Sequence, residues 1–133
     1  MRYGLCILAL LAACGDSIVP ATTFSAAPLL HVESLSGALL IAVHTAPQPP
    51  QRGVIAARFD IQDQHGAPVP GLDLKVVPWM PEHGHGASVT PIVTELGDGS
   101  YLATDVYLAM PGLWQLRLST SGGDSAEPSF QIP

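Results

Sequence analysis

The sequence is poor in cysteine and in positive charge, and both shortages exclude classes of function. Its two cysteines, Cys6 and Cys14, both lie close to the N-terminus. A cysteine-rich structural zinc site or a blue-copper centre is therefore not expected in the rest of the chain. Five lysine and arginine residues stand against eleven aspartate and glutamate residues, which gives a formal net charge of −6. Since no basic cluster occurs either, we expect no nucleic-acid partner.

The sequence also lacks a membrane-spanning run and helical periodicity. Its N-terminal apolar run, Leu5 to Leu11, is much shorter than the roughly 20 residues that a spanning helix needs. No window keeps apolar residues at helical spacing for three turns. Short apolar runs separated by turn residues take their place, and this pattern is typical of an all-β protein.

The N-terminus has the order of a targeting segment. A positive residue, Arg2, precedes the apolar run, and the sequence Leu11-Ala12-Ala13-Cys14 follows it. This order resembles the lipobox of bacterial lipoproteins, which implies a signal peptide over residues 1–13 and lipidation of Cys14. The mature protein would then be anchored by lipid in the cell envelope, facing the periplasm or the exterior. A short buried helix or a plain secretory signal is the alternative.

The rest of the chain divides into a tether and one domain. Residues 14–30 hold the lipidated cysteine and a small, polar, proline-containing stretch that we interpret as a flexible tether. Residues 31–133 are expected to form the domain. Seven apolar runs predict strands there, at residues 38–43, 54–61, 72–77, 88–95, 100–108, 113–119 and 125–132. Seven short strands in about 100 residues predict an immunoglobulin-like antiparallel β-sandwich.

The stretch PWMPEHGHG, residues 78–86, carries the candidate chemistry. Its prolines and glycines predict a loop. His83 and His85 are two positions apart, so in an extended segment both side chains point the same way. Together with the thioethers of Met80 and Met110, the two imidazoles form a ligand set for copper, and this full set favours Cu(I). The same imidazoles with Glu82 or water would suit Cu(II).

Strand order predicts which loops meet. If the seven strands alternate in direction, the loops after the first, third and fifth share one pole of the sandwich. These loops hold His44, the stretch at residues 78–86, and Met110-Pro111-Gly112. The chain would enter its first strand from the other pole, which places the candidate ligands far from the lipid. His31 and His65 are expected at that other pole.

Four separated motifs in the same order resemble the YtkA-like domain family, which is related to FixH-like and CopC-like modules of bacterial envelopes. They are Gly66 to Gly71, Met80-Pro81 with residues 83–86, Gly97 to Tyr101, and Met110-Pro111-Gly112 with Trp114. Ala109 departs from the larger apolar residue expected before Met110. The resemblance implies an envelope β-sandwich with a role in copper handling, such as the supply of copper to a respiratory oxidase.

Two functions remain open from the sequence. In the first, a lipid-anchored protein binds copper through His83, His85, Met80 and Met110 and passes it to a partner. In the second, the domain is a binding or scaffold module, and residues 78–86 only close the end of the sandwich. No enzyme is expected, because no nucleophile elbow or zinc-protease helix is present, and Ser88 near His85 is the only candidate pair.

Overall fold

The structure is a computed structural model that describes residues 21–133. The predicted signal peptide and Cys14 lie outside the described residues. Within these residues, ten strands follow one another: β1 Leu30–Glu33, β2 Leu39–Ala46, β3 Gly53–Asp63, β4 Lys75–Met80, β5 His85–Gly86, β6 Ile92–Gly97, β7 Ser100–Leu108, β8 Gly112–Ser119, β9 Ser125–Ala126 and β10 Ser129–Ile132. Within residues 21–133, no helix is long and apolar enough to span a bilayer.

The strands form two antiparallel sheets packed face to face. One sheet has the order β1-β2-β3-β7-β6, and the other has the order β10-β8-β4-β5 with β9 beside β8. Along β3, the residues Ile55, Ala57, Phe59 and Ile61 are buried and alternate with more exposed ones. This period-two pattern gives each sheet one face in the core and one outer face. The all-β, immunoglobulin-like sandwich predicted from the sequence is confirmed.

A buried tyrosine is hydrogen-bonded to the irregular segment at residues 69–72. Tyr101, near the start of β7, is 1% exposed. Its hydroxyl donates a hydrogen bond to the carbonyl oxygen of Val69 at 2.7 Å and accepts one from the amide of Leu72 at 3.3 Å. Burial raises the pKa of this hydroxyl above its ordinary value. The arrangement resembles the tyrosine corner of immunoglobulin-like sandwiches, where a tyrosine at a strand start holds the preceding connection.

The strand boundaries differ from the sequence prediction in several places; β6, for example, begins at Ile92 and not at residue 88. The run at residues 125–132 is divided into β9 and β10 around Glu127 and Pro128. Residues 78–80, predicted as loop, are the end of β4, and residues 85–86 form β5. Pro78 is tolerated because β4 lies next to the short edge strand β5, where a missing amide costs little.

The strand that the sequence prediction missed, β1, changes the path of the chain. It pairs with β2 in antiparallel register, with Leu30 opposite Val43 and Glu33 opposite Leu40. The chain therefore enters β1 at the pole where β2 ends. The prediction that it enters from the opposite pole is wrong, because β1 adds one reversal of direction before β2. The prediction that the candidate ligands lie far from the N-terminal lipid anchor therefore no longer follows from the strand order.

Three connections do share one pole, as predicted. Gly53 at the start of β3 lies opposite Leu108 at the end of β7. Trp79 near the end of β4 lies opposite Gln115 of β8. The connections at residues 47–52, 81–84 and 109–111 therefore cluster at this end of the sandwich, called the site pole below.

Candidate functional site

The candidate site is a hairpin formed by β4, a turn at residues 81–84 and β5; it is called the histidine hairpin below. Trp79 pairs with Gly86, and Met80 pairs with His85. The turn is closed by the carbonyl oxygen of Met80, which accepts hydrogen bonds from the amides of Gly84 at 2.9 Å and His83 at 3.2 Å. Gly84 has a φ of 66°, a conformation that glycine adopts without strain.

The close approach of the two strands requires a glycine in β5. A Cβ atom built on Gly86 would lie 2.9 Å from the carbonyl oxygen of Pro78 and 3.4 Å from the Trp79 ring. That carbonyl oxygen accepts a hydrogen bond from the amide of Ala87 at 3.3 Å. The glycine therefore lets the histidine-bearing strand lie directly against Pro78 and Trp79.

His83 and His85 lie side by side on the surface. Both are exposed, and their ring centroids are 5.6 Å apart with an angle of 58° between the ring planes. An imidazole nitrogen binds a metal ion at about 2.0 Å, so two rings on one ion have centroids roughly 5 to 6 Å apart. The separation of the two rings thus fits a shared ion.

His85 is also oriented for metal binding by its own backbone. Its Nδ1 atom lies 3.1 Å from the carbonyl oxygen of Gly86. A carbonyl oxygen can only accept, so in this hydrogen bond Nδ1 is the donor and Nε2 keeps the free lone pair. Metal-binding histidines commonly donate their second ring nitrogen to a backbone carbonyl in this way, which fixes the tautomer and the ring direction.

Met80 lies in the core and not beside the histidine rings. It is 0% exposed, and a Cβ atom built on Gly112 would lie 3.1 Å from its methyl carbon. The loops that carry Met80 and Met110 are therefore adjacent, as the strand order predicts. Emptying a buried methionine position costs about 2–5 kcal/mol in typical cores. A metal bound by Met80 would have to offset a cost of that order.

Met110 packs partly against the core. Its carbonyl oxygen accepts a hydrogen bond from the indole nitrogen of Trp114 at 2.9 Å, and Trp114 is 1% exposed. The backbone of Met110 is thus fixed by the buried indole. Its half-buried side chain covers the edge of the core.

A tryptophan and an arginine cover the outer face of the sheet beside the hairpin. Trp79 alternates with Met80 along β4 and is half-buried on the outer face. The guanidinium carbon of Arg117 lies 4.4 Å from the centroid of its ring, which is a cation–π distance. The indole of Trp79 is therefore held between Arg117 and Gly86.

The other candidate histidines lie elsewhere. His44 is 3% exposed within β2, and its Nε2 atom lies 3.2 Å from Oδ2 of Asp60. His65 is exposed in the turn after β3, at the opposite pole as predicted. His31 was expected at that pole too, and this is wrong: it lies in β1, opposite Ala42 of β2. Within residues 21–133, no group of three or more His, Cys, Asp or Glu side chains is placed to hold a metal ion.

A polar network that sequence reasoning missed surrounds His44. Asp60 accepts hydrogen bonds from Arg58 at 3.0 Å and from the Ser100 hydroxyl at 2.7 Å. All four side chains project from the outer face of the β2–β3–β7 part of the sheet. The alternation Arg58, Phe59, Asp60 indicates an outer face, but the sequence carries no signal that residues 24–28 cover it.

The YtkA-like family model matches residues 38–119, which is more than half of the chain. The protein therefore belongs to the YtkA-like family. The structure of the Yersinia pseudotuberculosis adhesin InvE is similar in fold, with a TM-score of 0.51 and 16% sequence identity. That match covers 75% of this chain and 27% of the adhesin chain. Among curated proteins, none matches the sequence.

Proposed function

We propose that this YtkA-like protein is a lipid-anchored protein of the bacterial envelope that binds copper through His83 and His85 and delivers it to a partner protein. The observation that carries the proposal is the geometry of the two imidazoles. Their centroids are 5.6 Å apart, and the Gly86 carbonyl orients the His85 ring. The family's relation to CopC-like and FixH-like envelope modules supports copper as the metal, and a respiratory oxidase is a candidate recipient.

The positions of the methionines favour Cu(II) over Cu(I) as the bound ion. Buried Met80 and half-buried Met110 leave two exposed imidazoles, with the exposed carboxylate of Glu82 next to His83. Imidazole, carboxylate and water suit Cu(II), whereas thioethers are needed to favour Cu(I). A site with two protein imidazoles also leaves coordination positions open, and a recipient protein would use these to take the ion.

Titration of the purified protein with Cu(II) and with Cu(I), against a competing chelator, tests the proposal. We expect His83→Ala and His85→Ala each to weaken Cu(II) binding by roughly tenfold or more, because each removes one of two imidazole ligands. The double variant should bind no tighter than background. Met80→Leu and Met110→Leu should leave Cu(II) affinity unchanged.

His65→Ala is the matched control, since it removes an exposed histidine from the opposite pole. Its copper affinity should equal that of the unmodified protein. Weak micromolar affinity in the unmodified protein, or an affinity that the double variant retains, would contradict copper binding at this site. Quenching of Trp79 fluorescence by Cu(II) gives a second readout, because this residue belongs to the histidine hairpin.

A second candidate function is a scaffold module in which the histidine hairpin only closes the site pole. The complete burial of Met80 favours it. This function predicts a clear loss of stability in Trp79→Ala and no change in partner binding when both histidines are replaced by alanine. The copper titration above separates the two functions.

A further inference from the structure

Residues 24–27, which precede β1, make three separate contacts with side chains of the domain. The guanidinium carbon of Arg58 lies 5.1 Å from the centroid of the Phe24 ring. The Nδ1 atom of His44 lies 3.1 Å from the carbonyl oxygen of Ser25. The side-chain amide of Gln48 donates to the carbonyl oxygen of Ala27 at 2.9 Å. Residues 24–28, called the strap below, therefore lie along β2 and the connection that follows it.

The burial of His44 shows how much the strap covers. Residues at alternate positions of β2 point to the outer face, and Leu40 at one of them is 40% exposed. His44 points to the same face two positions past Ala42, yet it is 3% exposed. The strap is the segment in contact with it on that side. The strap thus covers His44, whereas the side chains of Asp60 and Arg58 stay 38% and 27% exposed beside it.

The contacts of the strap are mostly polar. Ser25, Ala26 and Ala27 are exposed, and Phe24 is half-buried. A segment with little apolar burial opens at a lower free energy than the strands of the core. The strap is therefore suited to detach while the sandwich stays folded.

We propose that docking of the strap sets the effective length of the tether between the lipid anchor and the domain. This inference rests on the lipidation of Cys14 in the proposed function. With the strap docked, ten residue steps separate Cys14 from Phe24 and span at most about 36 Å. With the strap released, the next fixed residue is Leu29, whose amide donates a hydrogen bond to the carbonyl oxygen of Val43 at 2.7 Å. Fifteen steps separate Cys14 from Leu29 and span at most about 54 Å. Release of the strap extends the distance over which the histidine hairpin reaches a partner.

Backbone order parameters from nitrogen-15 relaxation of the full-length protein test the docking. We expect values near about 0.85 for the amides of residues 24–27, as in a rigid backbone, and values below about 0.6 in Phe24→Ala. Gln48→Ala removes the partner of Ala27 on the domain side and should lower the order parameters of the same amides. Thr22→Ala changes an exposed residue just outside the strap and serves as the matched control. Low order in the unmodified protein, or a Phe24→Ala variant that matches this control, would overturn the proposal.

The tether is tested with the lipidated protein in lipid nanodiscs that contain a paramagnetic headgroup. Signals of the domain should be broadened less in Phe24→Ala than in Thr22→Ala, because a longer tether lets the domain move farther from the bilayer. Equal broadening in the two variants would refute the proposal that the strap sets the length of the tether. An intact mass that shows no attached lipid would refute it as well. Neither result affects the copper titration, so this inference and copper binding at the histidine hairpin fail separately.

Discussion

Met80 is the residue whose position most changes the expected chemistry of the site. Val76, Pro78 and Met80 are buried along β4, while Lys75, Val77 and Trp79 face outward. Continued alternation from Val76 places Met80 in the core, but the proline at position 78 indicates the end of the strand. The loop prediction for residues 78–80 therefore left the direction of the thioether undetermined.

The two histidine rings lie close together for a reason other than the one predicted. The prediction assumed an extended segment, but His83 and Gly84 lie in the turn and Gly84 has a φ of 66°. The ring separation of 5.6 Å therefore results from the turn. The hydrogen bond from His85 to the Gly86 carbonyl could not be predicted, because it depends on the turn that brings β5 against β4. Whether the pair binds copper stays a prediction.

A residue-scale prediction concerns the Tyr101 hydroxyl. Tyr101→Phe leaves the ring in place but removes the donor to Val69 and the acceptor for Leu72. The free energy of unfolding should fall by about 1–3 kcal/mol, the typical cost of leaving buried polar groups without partners. Urea unfolding measures this change.

The matched control for Tyr101→Phe is Tyr107→Phe. Tyr107 lies on the same strand with a half-buried side chain, and among the described residues its hydroxyl makes no hydrogen bond. Its replacement should shift the urea midpoint little. Equal shifts in the two variants would mean that the Tyr101 hydroxyl does not stabilise the connection at residues 69–72.

At the scale of elements, the sequence predicted the central strands well and the edge strands poorly. β3 and β8 each alternate apolar and polar residues over six positions, Ala57 to Gln62 and Trp114 to Ser119, which is a strong period-two signal. β1 has four residues and β5 has two, too few for any period to be recognised. These short strands form through pairing with β2 and β4, so their existence depends on tertiary structure. Missing β1 also reversed the predicted path of the chain.

An element-scale prediction concerns the turn between β7 and β8. Gly112 has a φ of 128°, and an added Cβ would press on the methyl group of Met80 at 3.1 Å. Gly112→Ala should therefore destabilise the fold through both backbone strain and crowding. Backbone strain alone costs of the order of 1–3 kcal/mol.

Gly53→Ala is the matched control for Gly112→Ala. Gly53 has a φ of 116° but no atom within 4 Å of an added Cβ. Both variants should lower the thermal unfolding midpoint, and the larger decrease is expected for Gly112→Ala. If Gly53→Ala is equally destabilising, contact with Met80 contributes nothing at this turn.

At the scale of the whole molecule, one carboxylate contributes to the connection between the two sheets at the pole opposite the site, beside a backbone hydrogen bond from Leu35 to Ser125. Asp124 lies in the turn between β8 and β9. Its oxygens accept hydrogen bonds from the amide and hydroxyl of Ser36 and from the amide of Ser125. Ser36 belongs to the turn between β1 and β2, in the other sheet. Asp124 therefore connects the two sheets by contacts between residues 88 positions apart in sequence.

These hydrogen bonds lower the pKa of Asp124 from 3.8 to about 2, with the Ser36 hydroxyl as the largest cause. A carboxyl group whose pKa is lower in the folded state favours folding when it is ionised. Its contribution is present above pH 3.8, the ordinary value, and is lost as the pH falls toward about 2. The protein should thus lose stability across this interval partly because Asp124 becomes protonated.

Urea unfolding of Asp124→Asn at several values between pH 5 and pH 2 tests this prediction. Because asparagine does not titrate, the variant should be less stable than the unmodified protein at pH 5, and the difference should shrink toward pH 2. Asp98→Asn is the control: Asp98 lies in the β6–β7 turn with a φ of 53°, which asparagine also adopts. Its pH dependence should follow that of the unmodified protein. A constant difference for Asp124→Asn at all pH values would show that its ionisation does not connect the two sheets.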